Sequence, residues 1–334
     1  MAGAVLTALV AAPLTAVPAS AAPSITELPA LTKGTVAEAR AVNGAGQAAG
    51  KSFTPDGAGH AVRWNADGSI TDLGVPFGTQ WSEAWGMNGS GVVVGSHDGD
   101  GHRNPTRWAP DGTATTLALP PGAVGGEARA VNDAGVIVGW TQIDCTDHAV
   151  KWSAAGAPTD LGPSTGGQRT DAWAINNDGV IVGDADGPGV AISEGVRWNT
   201  DGTVTRLGTL EGNGKGYSTP SGINNSGTVV GYASGAGGYT HAVKWTPAGV
   251  ISDLPALPGA SKADAYAYAI NADGTIVGEA QAADFYRTAV RWSPDGSVTD
   301  LRFLPGRAGS RARAVNTTGV IVGDSTGIAT RWTD

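Results

Sequence analysis

Residues 174–183 run AINNDGVIVG: an apolar stretch, a polar turn, then a second apolar stretch. The same pattern returns as AVNGAGQAAG from 41, GMNGSGVVVG from 86, AVNDAGVIVG from 130, GINNSGTVVG from 222, AINADGTIVG from 269 and AVNTTGVIVG from 314. Short β-branched runs on either side of Asn and Gly predict two strands joined by a tight turn. Asn closes an Asx-type turn and Gly supplies the positive φ. The Asn residues stand at 43, 88, 132, 176, 224, 271 and 316, a period of 44 to 48 residues.

A second signature follows each first one: HAVRW from 60, NPTRW from 104, HAVKW from 148, EGVRW from 194, HAVKW from 241, TAVRW from 288 and IATRW from 328. It predicts a third strand, and the Gly-bearing turn after the Trp leads into a fourth, of the kind SITDLG from 69. A two-residue type I′ turn at Asp67-Gly68 would pair Trp64 with Thr71 and set Arg63 against Asp72. The same offset sets Lys151 against Asp160, Lys244 against Asp253 and Arg291 against Asp300. It leaves Arg107 opposite Thr116 and places Arg197 opposite Arg206, with no compensation for that last pair.

Four antiparallel strands per period and seven periods predict an all-β chain, a seven-bladed β-propeller. The chain stops at Arg331-Trp332-Thr333-Asp334 without a fourth strand, and SITELPAL at 24–31 is a fourth strand without its repeat. The N-terminal strand is therefore expected to complete the last blade, with Glu27 facing Arg331, closing the ring and removing its open edges.

The pattern A-x-A-I-N-x-x-G-x-I-V-G, then H-A-x-x-W, then D-L-G, resembles the HAF family of probable extracellular repeat proteins. The resemblance covers essentially all of the chain after the first 21 residues. The chain departs from the family in having Val where its name expects Phe, and in losing His from four repeats. The resemblance implies export and a repeat β fold, and it implies no reaction.

Charge and composition narrow the function. Charged residues are only 15% and hydrophobic ones 41%, too apolar for a disordered polymer. A net charge of −9 argues against a nucleic-acid partner, whose phosphates need a basic surface. The first 22 residues carry no charged side chain, and their apolar run ends in Ala19-Ser20-Ala21, which fits an export signal. A retained transmembrane helix competes with that reading, but Pro13, Pro18 and the shortness of the run weigh against it. The run lacks the usual Lys or Arg before it, which points to a true start upstream of Met1. Residues 1–21 are thus expected to be a signal peptide and 22–334 one propeller domain, secreted and not inserted in a membrane after cleavage. No Cys lies near the cleavage site for a lipid anchor, and the single Cys145 cannot form an internal disulfide, so packing must hold the fold.

A feature present in every blade is explained by the blade. The seven Asn, the paired glycines and the Trp residues at 64, 108, 152, 198, 245, 292 and 332 are therefore scaffold; His60, His148 and His241 share one repeat position, which disfavours a catalytic role for them. Function is expected where blades differ, on the face that carries the long, irregular loops, and where the first strand of each blade enters the central channel. The residue between the two small positions of that strand is Arg40, Trp85, Arg129, Trp173, Ser221, Tyr268 and Arg313 in turn. Two residues earlier come Glu38, Glu83, Glu127, Asp171, Thr219, Tyr266 and Arg311, expected nearer the opening. The four Trp residues outside the scaffold set, 81, 85, 140 and 173, and all six Tyr residues fall in the irregular loops or at the channel mouth. Loops that fold over themselves also need aromatic side chains. The functional reading is a ligand funnel of rings, guanidinium groups and carboxylates: Arg40, Trp81, Glu83, Trp85, Glu127, Arg129, Trp140, Asp171, Trp173, Tyr232, Tyr268 and Arg313.

Other chemistry has less to stand on. HDGDGH at 97–102 offers His97, Asp98, Asp100 and His102 to a cation but lacks the spacing of a calcium loop, and no resident metal or cofactor is expected. Cys145 lies three residues from His148, which is a scaffold position, so a thiolate nucleophile is disfavoured and Cys145 should be dispensable. The expectation is a secreted binding module for a glycan or other extracellular polymer, alone or with other secreted proteins. The rivals are a lyase or hydrolase with carboxylates and Arg at the channel mouth, and a structural protein–protein module.

Overall fold

The computed structural model describes residues 23–76, 80–162, 169–187, 190–211, 216–260 and 264–334. The apolar N-terminal segment expected to direct export lies outside them. The described residues form seven four-stranded antiparallel sheets, the blades of a β-propeller. Blade one runs outward from the axis as Ala37–Val42, Ala48–Phe53, Gly59–Trp64 and Ile70–Gly74. The innermost strands of the next six are Ser82–Met87, Ala123–Val131, Thr170–Ile175, Ser218–Ile223, Ala265–Ile270 and Arg311–Val315. No helix among the described residues is long and apolar enough to cross a membrane.

Ring closure follows the expected route. The strand Ser24–Glu27 lies beside Ile328–Thr333 as the outer edge of blade seven. Leu28 then joins the core between blades seven and one, and the Pro29 carbonyl accepts the Trp64 indole N–H at 2.7 Å.

Each interface between blades holds one apolar cluster built around the Trp of the third strand. Trp108, for example, packs with Ala41, Ala49, Ala61 and Leu73 of blade one and with Ala84 and Val93 of its own blade. Trp332 packs with Val277, Ala289 and Leu301 of blade six. All seven scaffold Trp residues are buried, and removing one such ring costs about 3–5 kcal/mol.

The recurrent Asn does more than shape a turn. Its Oδ1 accepts the backbone N–H four residues on, as from Val136 to Asn132 at 2.9 Å, while Gly135 takes φ +79°. Its Nδ2 donates to the backbone carbonyl of the Asn in the next blade, so that Asn88, Asn132, Asn176, Asn224, Asn271 and Asn316 reach Asn132, Asn176, Asn224, Asn271, Asn316 and Asn43. The girdle opens once: Asn43 donates instead to Gln47 of its own turn, at 2.9 Å.

The expected register of the third and fourth strands is off by one. Trp64 pairs with Ile70, Arg63 with Thr71 and Val62 with Asp72. A type I′ turn needs positive φ at both central residues, and only Gly68 has it; Asp67 instead accepts the Ser69 N–H at 2.9 Å. The result is a three-residue loop with one residue more than the I′ hairpin. A slip of one turns Arg63 and Asp72 to opposite faces. The acids therefore meet the first residue of the H-A-x-x-W motif: Asp72 with His60 at 2.9 Å, Asp160 with His148 at 3.1 Å and Asp253 with His241 at 3.1 Å. In blade six Thr288 donates to Asp300 at 2.6 Å. Blade four reverses the charges, Arg206 bonding Glu194 at 2.6 Å, which is the compensation the Arg197–Arg206 pairing lacked. The basic residues before the Trp reach across to the next blade instead: Arg63 to the Pro110 carbonyl, Arg197 to that of Pro247, and Arg291 to the Asp334 carboxylate. Glu27 likewise pairs with Thr330, and Arg331 donates to the Gly46 carbonyl at 2.9 Å.

Candidate functional site

Each innermost strand carries a β-bulge, and the bulge makes the site. Ala39 pairs with Gly50 and Ala41 with Ala49, which leaves Arg40 as the extra residue. The same irregularity leaves out Trp85, Arg129, Trp173, Ser221, Tyr268 and Arg313 in the other six blades. A bulge re-aims a side chain out of the pleat. Here the neighbouring strand comes so close that a Cβ on Gly50, Gly95, Gly139, Gly183, Gly231, Gly278 or Gly323 would sit 1.8–2.1 Å from a backbone carbonyl oxygen of the inner strand. The second Gly of each repeat is thus the space into which the bulged strand folds.

All seven bulge residues line one cavity of about 420 Å³ on the axis, together with Thr219, Tyr232 and Tyr266. That volume lies in the range of small-molecule sites. Blades one to four contribute an interleaved stack. The Arg40 guanidinium carbon lies 3.6 Å from the ring centroid of Trp85, and that of Arg129 lies 4.1 Å from Trp85 and 4.5 Å from Trp173. Blades five and six contribute tyrosines: Tyr232 meets Tyr266 edge-on at 5.1 Å, and Tyr266 stacks on Tyr268 at 6.3 Å.

The acids expected nearer the opening lie behind this wall. Glu83, Glu127 and Asp171 are 3%, 0% and 4% exposed, and they serve as counter-ions. Arg40 bonds Glu83 at 2.9 Å and Glu38 at 3.2 Å. Glu127 pairs with Arg129 at 2.6 Å and accepts from Arg103 at 2.7 Å. Burial pushes the Glu127 carboxyl above its usual range despite Arg129 and Arg103, and burial also lowers Arg129. Burial opposes ionisation of Glu38, but Lys51 and Arg40 hold it below the ordinary carboxylate value. Asp171 is raised to about 7 by burial and then by Asp184, against the pull of Arg169. Asp184 in turn accepts from the Trp173 indole and the Ser193 hydroxyl.

Of the sequence-derived candidates, Arg40, Trp85, Arg129, Trp173, Tyr232, Tyr268 and Arg313 share the central cavity. Trp81 and Trp140 do not. Trp81 borders a separate groove with Asp56, Gln80, Asp98 and Arg103, and the Arg103 guanidinium lies 5.0 Å from its ring. Trp140 is half-buried within the regular strand Ile137–Ile143, paired with Glu127 on one side and Ala149 on the other. The sequence candidates omitted Thr219, Ser221, Tyr266 and Arg103. The first three occupy repeat positions already aligned with the named residues, whereas Arg103 stands five residues before the third-strand Trp, a position that carries Arg again only at Arg287 of blade six.

Among the described residues no group of three His, Cys, Asp or Glu side chains converges on a point that could hold a metal. His97 is buried with Nδ1 2.7 Å from the Thr106 hydroxyl. Cys145 is exposed on a tight turn, and the Nδ1 of His148 is engaged by Asp160.

No family model and no curated protein matches the chain. Solved structures do. A streptogramin B lyase is 16% identical over 93% of this chain and 98% of its own, with a TM-score of 0.55. Virginiamycin B lyase from Staphylococcus aureus is 13% identical over 93% and 99%, at 0.59. Puromycin hydrolase is 15% identical, and 88% of this chain matches 50% of that one at 0.57. The extracellular domain of a one-component system from B. thetaiotaomicron is 7% identical over 92% of this chain and 39% of its own, also at 0.57. At such identities the likeness is one of fold, and the fold is the seven-bladed β-propeller.

Proposed function

We propose that the protein is an exported binding module that takes a glycan, or another extracellular polymer, at the mouth of its central channel. One observation carries this reading: seven bulges, one per blade, aim residues that differ between blades into a single cavity. Scaffold needs do not call for two indoles and two guanidinium groups stacked alternately beside a cluster of tyrosines. Aromatic faces suit the C–H faces of sugar rings, and hydroxyl and guanidinium groups suit their oxygens. The resemblance of the repeats to the HAF family, and the apolar N-terminus, are in keeping with export.

A second reading, a lyase or hydrolase, draws on the Asp171–Asp184 pair. A carboxyl raised to about 7 is matched to proton transfer near neutral pH. Against it, both groups are buried behind the wall and tied to Arg169, Trp173 and Ser193, and neither lines the cavity. The cavity lining also contains no histidine. The two readings separate on a panel of extracellular polysaccharides incubated with the protein. Retention of one without change in its chain length supports the binding module; shortened or unsaturated products support the enzyme.

A further inference from the structure

The cavity holds three guanidinium groups, and two are already neutralised. Arg40 is paired with Glu38 and Glu83, and Arg129 with Glu127. Arg313 differs. Among the described residues its side chain makes no hydrogen bond and has no carboxylate at ion-pair distance; its contact is the face of Tyr268, 5.1 Å from the guanidinium carbon. Two acids feel its charge, Glu38 and Asp324, yet both are turned elsewhere. Glu38 faces Arg40 and Lys51, and Asp324 lies 3.4 Å from Arg311.

A cation left unpaired in a half-enclosed apolar setting gains most from an anion that displaces its remaining water. The planar fork of a guanidinium donates to two oxygens of one oxyacid at once. Next to it stands Tyr268, whose hydroxyl donates to Glu279 at 3.0 Å and whose ring stacks on Tyr266, and blade five offers the small Ser221 where other blades carry a ring or a guanidinium, so the wall is notched there. The chain's net charge of −9 disfavours loose attraction of a polyanion, so an anion that binds must be recognised at the contact itself.

We propose that Arg313 receives an oxyanion of the ligand, the carboxylate of an acidic glycan, while the sugar ring that bears it lies against the tyrosines of blades five and six. This rests on the binding reading above and names the ligand class for the same cavity.

The test is calorimetric titration of the protein with oligogalacturonate, with its methyl ester, and with sulfated dextran oligomers. The acidic oligomer should bind at least about tenfold more tightly than the ester, the scale of one charge-assisted contact. Arg313→Gln should erase that difference, and Arg313→Lys should restore part of it. Preference for the carboxylated oligomer supports the proposal; preference for the sulfated one overturns the carboxylate assignment. Oligogalacturonate bound equally by the parent and by Arg313→Gln overturns the proposal and leaves the binding module standing. Failure of every oligosaccharide, acidic and neutral, overturns both.

Discussion

At the scale of single residues, the channel wall is an exercise in charge burial. Arg40 and Arg129 stack against indoles while Glu38, Glu83 and Glu127 neutralise them from behind. Where the acids outnumber the bases the balance shifts, and Asp171, buried and crowded by Asp184, sits at about 7, well above the ordinary carboxylate range. The folded chain therefore holds this proton more tightly than the unfolded chain does. Its effect on stability is neutral at low pH and turns unfavourable as pH rises from about 4 towards 7. Replacing Asp171 with Asn should remove that slope: melting temperatures taken from about pH 4 to pH 8 should move in favour of the variant as pH rises. A difference between parent and variant that stays constant over that range would show that Asp171 ionises normally. The sequence made the bulge residues legible because the repeat aligns them. Their counter-ions were legible as charges but not as buried ones, because burial depends on which blade's Arg reaches which neighbour's acid. Trp81 and Trp140 look like their aromatic fellows in the sequence, and only strand pairing separates them from the cavity.

At the scale of the element, the informative unit is the inner hairpin. Two small residues flank the bulge, and the glycine opposite makes room for it. In blade three an alanine at Gly139 would drive its Cβ to 1.9 Å from the Glu127 carbonyl oxygen, a backbone atom with nowhere to go. Overpacking of this kind costs about 1–3 kcal/mol or more. Gly139→Ala should lower stability by at least that much and disturb Arg129 with it, whereas Gly156→Ala, at an outer turn where a Cβ meets nothing, should suffer only the strain of its positive φ. Denaturant melts of the two variants decide the matter; equal midpoints would mean that the bulge tolerates a side chain. Strand order and ring closure were readable from periodicity, and the bulge was not, because a bulge adds no residue to a pattern that already repeats it. The outer hairpin was misjudged for a related reason. Asp-Gly suits both a two-residue and a three-residue loop, and the choice rests on the φ of Asp67, which composition does not reveal.

At the scale of the whole molecule, seven blades of one pattern form a frame, and each presents its own bulge residue to the channel. Six Asn–Asn bonds girdle one end of the frame, and seven Trp-centred clusters weld its interfaces. The rings that line the channel belong to none of those clusters. The most direct measurement of that division is the double variant Trp85→Ala, Trp173→Ala, assayed for uptake of whichever polymer the parent retains and for its melting temperature. Loss of uptake, with melting lowered by only a few degrees, is the expected result, because the seven scaffold Trp residues remain. A double variant that unfolds would make these rings part of the core, and one that folds and binds as the parent does would place the site outside the channel.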